Sequence, residues 1–195
     1  VPTFIYVGRL VASKGLNVLL DAARMLKDEG YIFGVQIVGR GEEWKALQRQ
    51  CRRLQLQDKV DFRGQLDWQS LQESLAEARA LVLPSISRLE AFGIVQQEAL
   101  CLATPVIASD LPGVRQVILD TKGGWLVEPG NAFSLYQAMA YLLDNEAEAK
   151  QAGKQGAMMV AQKYAWEDLC CQVEEVYRTC LRNNVSVGKM VPLRQ

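Results

Sequence analysis

Histidine is missing from this 195-residue chain. That removes the commonest general base and the commonest transition-metal ligand. Cysteine is scarce: Cys51, Cys101, Cys170, Cys171 and Cys180 are an odd number and form no Cys-x-x-Cys pair. Most lie in helix-like stretches beside apolar residues, so they read as reduced packing residues of a cytosolic chain. No apolar run approaches the roughly eighteen residues of a membrane span, and no signal-peptide pattern is present. Net charge is absent as well, because 22 basic and 22 acidic residues cancel. There is no global electrostatic case for nucleic acid or an anionic membrane, although a local basic cluster can still hold a small anion.

What remains is ordinary for a globular protein: 49% apolar and 23% charged residues, long enough for one large domain with a full-sized core. Val1-Pro2 leads at once into an apolar strand, which gives the expectation that the chain is a piece of a longer protein.

Strand and helix signals alternate. TFIYVG, FGVQIVG, KVDFRG, ALVLPS, TPVIAS and GGWLVEP read as strands; LNVLLDAARMLKDEG, EEWKALQRQCRRLQL and DWQSLQESLAEA read as the first three helices, the third capped by Asp67. A fourth helix begins near Gly93, GVRQVILD supplies one or two helical turns, and NAFSLYQAMAYLLDN is a helix capped by Asn131. Two further helices follow, at about 146–162 and 166–181, and residues 182–195 are expected to be a disordered tail. Strands separated by helices predict an α/β fold, a Rossmann-like doubly wound parallel sheet of about six strands with helices on both faces. In such a sheet strands one and four meet at the switch point, where ligands bind beside the carboxyl ends of the strands.

The unusual residues fall at those ends. GRLVASKG, Gly8 to Gly15, holds Arg9 and Lys14 between glycines ahead of a helix. The spacing is wrong for a Walker loop, but glycines, a helix N-terminus and cations make an anion site by the same logic. Taken alone, two solvated surface charges explain Arg9 and Lys14 as well. GRGEEW after strand two is a weak dinucleotide fingerprint and a reasonable tight turn beside a flat ligand. FRGQL after strand three repeats the arginine–glycine pair. After strand four comes SRLEAFGIVQQEAL, with Glu90 before a helix start and Glu98 three and four residues from Val95, Ile94, Cys101 and Leu102. Helical spacing therefore puts Glu98 on an apolar stripe. A carboxylate buried there needs a partner, and a ribose diol would supply one. Two cations, two acids and glycine turns on one edge outline a nucleoside-diphosphate sugar.

The segments YVGRLVASKG, VGRG, VDFRG, LPSISRLEAFGIVQQEAL, TPVIASDLPGVRQVI and GWLVEPGN, in this order over roughly residues 4–180, resemble the C-terminal, donor-binding domain of GT-B retaining glycosyltransferases of the GT4 group. The resemblance implies that residues 1–181 are a nucleotide-sugar-binding domain and that the acceptor domain lies N-terminal to this chain. It implies that Arg9 and Lys14 grip the diphosphate, with Gly8 beside them, and that Glu90 of the E-x7-E pair holds donor-hexose hydroxyls. Arg9, Lys14 and Glu90 would be the catalytic set. Phe92, Gly93 and Ile94 would donate backbone N–H groups, Val95 would line the site, and Glu98 would accept the ribose hydroxyls. Arg63, Gly64, Val38 and Gly39 would frame the base, with Ser85 and Gly113 shaping the pocket.

The activity implied is hexose transfer with retention from a nucleoside-diphosphate sugar, best UDP-glucose, to a saccharide or lipid-linked acceptor in polysaccharide biosynthesis. Neither cofactor nor metal is expected, consistent with the lack of an Asp-x-Asp sequence. The fragment is expected to be largely inactive in transfer by itself. The full-length protein is expected in the cytoplasm, peripheral to the inner membrane face, with no nucleic-acid partner. A GT-B-type nucleotide-sugar epimerase and a non-catalytic nucleotide-sugar-binding module are the alternatives.

Overall fold

A computed structural model of the chain describes residues 1–87 and 92–182. Strands and helices alternate as β1 (Thr3–Val7), α1 (Leu16–Asp28), β2 (Gly34–Val38), α2 (Trp44–Arg53), β3 (Val60–Gly64), α3 (Trp68–Glu77), β4 (Ala80–Leu83), α4 (Val95–Cys101), β5 (Val106–Ser109), α5 (Val114–Thr121), β6 (Gly124–Val127), α6 (Ala132–Asp144), α7 (Glu146–Lys163) and α8 (Trp166–Arg182). A 3-10 turn, Ala12–Lys14, precedes α1. The sheet order is β3-β2-β1-β4-β5-β6 and every pairing is parallel. Registers such as Ile5↔Gln36 and Ile5↔Leu81 place β1 between β2 and β4.

The central strands are buried on both faces, as parallel strands require. Phe4, Ile5 and Tyr6 are all enclosed, and β4 and β5 are buried throughout. Alternation along each strand then assigns two cores. Phe4, Tyr6, Val35, Ile37, Val82 and Ile107 pack in one cluster with Leu19, Leu20 and Leu26 of α1 and Leu135, Met139 and Leu142 of α6. Ile5, Leu81 and Leu83 are buried outside that cluster, on the face where α3 meets β1, α4 meets β4 and α5 meets β5. Each fully buried leucine adds about 1.5–3 kcal/mol of transfer energy. The edge strand β3 instead exposes Asp61 and Arg63, charges that discourage strand addition.

Helix starts follow their caps. Asp67 accepts from the Ser70 N–H at 2.9 Å and Asn131 from the Phe133 and Ser134 N–H groups at 2.9 and 3.0 Å, satisfying donors that the first helical turn leaves open. The chain divides into two compact units, Val1–Val160 and the remainder from Ala161. The first contains the whole sheet; the second holds the end of α7 and α8, where Glu174 and Arg178 pair at 2.6 Å one turn apart. The expected tail lies outside the described residues beyond position 182. One expectation is corrected here. Only Cys51 is a buried packing residue; Cys101, Cys170, Cys171 and Cys180 are exposed thiols. Apolar neighbours in sequence did not place them inside because those helices turn the cysteines toward solvent.

Candidate functional site at the carboxyl edge of the sheet

The order reverses between β1 and β4, which makes this the switch point. The loops leaving β1, β2, β3 and β4 are tied into one frame by backbone bonds. Gly8 N–H donates to the Val38 carbonyl and Leu10 N–H to that of Arg40, both at 3.0 Å, while Glu43 N–H returns to Leu10 at 3.0 Å. Gly39 N–H reaches the Gly64 carbonyl at 2.7 Å, and Ile86 N–H reaches that of Ser13 at 2.9 Å. The enclosed Tyr6 hydroxyl donates to the Arg9 carbonyl at 2.8 Å, fixing the backbone at the first cation.

Two glycines make this closeness sterically feasible. Gly15 has φ +66°, and a Cβ there would lie 2.1 Å from the Pro84 carbonyl oxygen. Gly39 has φ +133°, and a Cβ there would lie 1.9 Å from the Gly8 carbonyl oxygen. A side chain at either position would both strain the backbone and push two loops apart.

The predicted residues distribute over this frame unequally. Arg9 is exposed and, among the described residues, makes no ion pair. Lys14 is half-buried and closes the 3-10 turn ahead of α1. Gly8, Val38, Gly39 and Gly64 stand at the stapled strand ends, and Ser85 is fully buried just past β4. Phe92, Gly93 and Val95 are half-buried, Ile94 is exposed, and Gly113 takes φ +85° ahead of α5. Glu90 lies outside the described residues.

The structure differs from expectation at two points, and at a third it adds a residue. The fourth helix starts at Val95, because Gly93 with φ +72° is a turn rather than a helical residue. Glu98 is not buried on an apolar stripe: the inward side of α4 is Gln96, Ala99 and Leu100, while Glu98 is half-buried and Ile94 and Cys101 face outward. Arg63 is exposed and pairs with Asp61 at 3.6 Å on the outer edge of the sheet. The cation beside the Gly64 turn is Arg40, whose guanidinium would lie 3.6 Å from a Cβ at Gly64 and sits 5.9 Å from the Trp44 ring centroid. Trp44 in turn meets Phe62 edge-on at 5.5 Å, so a flat cationic and aromatic corner stands at the ends of β2 and β3. The signal for Arg40 was present in GRGEEW, as a cation between two glycines.

Gln96 is the other residue that sequence reasoning missed. It is fully enclosed, and its Nε2 donates to the Phe92 carbonyl at 2.9 Å and the Val114 carbonyl at 3.2 Å. It therefore ties the turn before α4 to the start of α5, and it backs onto Gly93, where a Cβ would approach its Nε2 to 3.0 Å. Among the described residues its Oε1 is buried without a hydrogen-bond partner.

A concavity of about 300 Å³ opens beside the first loop, lined by Val11, Ala12, Leu16, Asn17, Glu43, Leu47 and Ile86. Another, of about 210 Å³, lies at the opposite, amino edge among Pro2, Arg79, Thr104, Pro105 and Glu146. It contains none of the candidate residues, and Arg79 there is already paired with Glu146 at 3.3 Å.

The sequence of residues 1–159 matches the family described as Glycosyl transferases group 1. The chain is 34% identical over 178 residues to a phosphatidyl-myo-inositol mannosyltransferase of Mycobacterium leprae, covering 91% of this chain and 46% of that protein. Its structure superposes with a TM-score of 0.83 on sucrose-phosphate synthase of Thermosynechococcus elongatus, 30% identical, over 93% of this chain and 46% of the other. The same fold recurs, at 22% identity and a TM-score of 0.82, in Anabaena HepE crystallised with UDP-glucose, covering 91% of this chain and 48% of that one. The chain thus spans about half the length of the relatives it matches. With its six-stranded parallel sheet and its match over residues 1–159, this chain belongs to the glycosyl transferases group 1 family.

Proposed function

We propose that the chain is the donor-binding half of a retaining GT4-type glycosyltransferase, which moves a hexose from a nucleoside-diphosphate sugar, best UDP-glucose, to a saccharide or lipid-linked acceptor. The observation that carries this reading is the stapling of the loops after β1, β2, β3 and β4 into one frame at the switch point, with Arg9 and Lys14 on the strap between β1 and α1. The membership of the family and the UDP-glucose held by the HepE fold support it.

In this reading Arg9 and Lys14 hold the diphosphate. The N–H groups of the Phe92–Ile94 turn, backed by Gln96, face the sugar and its phosphate, and Val95 lines the same wall. Glu90 takes hexose hydroxyls, and Glu98, half in solvent, takes the ribose. Val38, Gly39, Arg63 and Gly64 frame the base, joined by Arg40. During transfer the bond from the anomeric carbon to the phosphate oxygen breaks and a bond to the acceptor oxygen forms on the same face. The acceptor proton passes to the departing phosphate. Charge that builds on that phosphate is stabilised by Arg9 and Lys14, already oriented before the reaction. The acceptor is held by the other half of the longer protein.

The test is a thermal-shift series with UDP, GDP, ADP and their glucose conjugates. A ligand at about a hundred times its Kd adds about 2.7 kcal/mol, or roughly 5–11 °C for a domain of this size. UDP and UDP-glucose are expected to give that shift and the other bases less. No shift with any nucleotide, or the same shift with inorganic pyrophosphate, counts against the reading.

A further inference from the structure

Helix α2, WKALQRQCRR, places Lys45, Arg49, Arg52 and Arg53 at relative positions 0, 4, 7 and 8. At helical spacing these fall within about 100° of arc along about 12 Å of axis. The buried residues of the same helix, Leu47 and Cys51, lie on the opposite side, so the cationic stripe points straight at solvent, and all four residues are exposed. Among the described residues none of the four makes an ion pair or hydrogen bond. Neighbouring cations behave otherwise: Arg24 pairs with Asp28 at 2.7 Å, Lys27 with Asp58 at 3.1 Å and Arg63 with Asp61 at 3.6 Å. The acids that border α2 are Glu42 and Glu43 at its start and Asp21, which accepts from Gln50 at 2.9 Å on the flank. A chain with no net charge thus concentrates unneutralised positive charge on one helical face.

We propose that this face of α2 docks on an anionic phospholipid surface. The stripe is convex, and its helix's aromatic, Trp44, is turned inward against Phe62, so it offers neither a groove-entering edge nor a stacking platform of the kind nucleic acids use. Cations in line along one helical face suit a planar layer of phosphates. An open depression of about 280 Å³ is lined by Ala46, Arg49, Gln50 and Arg53, a space of headgroup size beside two arginines, the residue type that grips phosphate oxygens. Among the described residues no helix is long and apolar enough to cross a membrane, so the contact is peripheral. Lys45, Arg49, Arg52 and Arg53 are none of the residues assigned to the donor, and the proposal stands whether or not the donor reading does.

The test is flotation of the full chain with vesicles of phosphatidylcholine alone and of phosphatidylcholine with phosphatidylglycerol. Each cation near an anionic surface is worth about five-fold in partitioning. Wild type is expected to float only with the anionic vesicles and to release as salt rises. The double variant Arg49→Gln/Arg53→Gln is expected to partition about 25-fold more weakly. Lys154→Gln, an exposed cation of α7, is expected to float as wild type does. Circular dichroism and urea midpoints confirm that the variants are folded. Absence of flotation, equal binding to uncharged vesicles, or equal sensitivity to Lys154→Gln overturns the proposal. So does binding to a short RNA or a polyglutamate peptide through the same residues without flotation.

Discussion

Replacing Gly15 by alanine separates two costs that the structure keeps distinct. At Gly15 the backbone sits at φ +66° and a Cβ would lie 2.1 Å from the Pro84 carbonyl oxygen and 2.9 Å from the Ile86 side chain. At Gly30 the backbone is equally left-handed, φ +81°, but nothing lies within 4 Å of the added carbon. Gly30→Ala therefore reports the conformational penalty alone, about 1–2 kcal/mol. Gly15→Ala carries the same penalty and must also move one backbone segment off another, because no rotamer change relieves a contact with a carbonyl; overpacking of this kind adds about 1–3 kcal/mol. At about 2–4 °C per kcal/mol for a domain of this size, Gly30→Ala is expected to lower Tm by about 2–8 °C and Gly15→Ala by about 4–20 °C. Urea denaturation of both variants supplies the energies directly. Binding should discriminate further: the Gly15–Pro84 contact joins the strap bearing Arg9 and Lys14 to the β4 loop, so Gly15→Ala weakens UDP binding while Gly30→Ala leaves it unchanged. Equal stability losses and equal UDP affinities in the two variants would refute the idea that this contact holds the site together.

Lys14→Ala is expected to weaken UDP binding about 10–150-fold by calorimetry, the loss of one charge-assisted hydrogen bond at about 1.5–3 kcal/mol; unchanged affinity removes Lys14 from the diphosphate site. Gln96→Leu keeps volume while releasing the Phe92 and Val114 carbonyls, and should weaken UDP-glucose about 2- to 12-fold, the net worth of the Phe92 bond that holds the sugar-side turn, with a smaller effect on UDP; equal effects on both ligands would mean that Gln96 does not position that turn. The Asp67 carboxyl is held below the usual carboxylate range by the Ser70 N–H and hydroxyl that it accepts, and the Glu146 carboxyl is lowered by Lys150 and then Arg79. With folded pKa values depressed, their contribution is present above the unfolded value of about 4 and lost as pH falls through the folded one. Urea midpoints should therefore fall in acid, and Asp67→Asn, still a capping residue, should flatten that fall; an unaltered acid slope in the variant contradicts the assignment.

The strand order, the caps at Asp67 and Asn131 and the placement of Gly8, Lys14, Gly39 and Gly64 at one edge were legible because each rests on local chemistry: β-branched runs, side-chain oxygens at helix starts, glycines at strand ends. The buried face of α4 was not. Its seven residues have apolar neighbours on both sides, and the pattern Ile94, Val95, Glu98, Cys101 is as regular as Gln96, Ala99, Leu100. Which of the two turns inward is decided by α5 and by the Phe92–Gly93 turn, since Gln96 bonds both Val114 and Phe92; neither partner is visible from periodicity. Arg40 and Arg63 were likewise alike on paper, each beside a glycine at a strand end; only the folded chain sets Arg40 against the Gly64 turn and the Trp44 ring.

The central claim is that one pyrophosphate-bearing donor binds where the loops of β1, β2, β3 and β4 are stapled together. Chemical-shift mapping of the amide spectrum during a UDP titration tests it most directly. The account predicts perturbations at Gly8, Arg9, Lys14, Gly39, Arg40, Gly64 and Ile94, all saturating with a single Kd. Saturable shifts confined to the amino edge around Arg79 and Thr104, or none at saturating UDP, would contradict it.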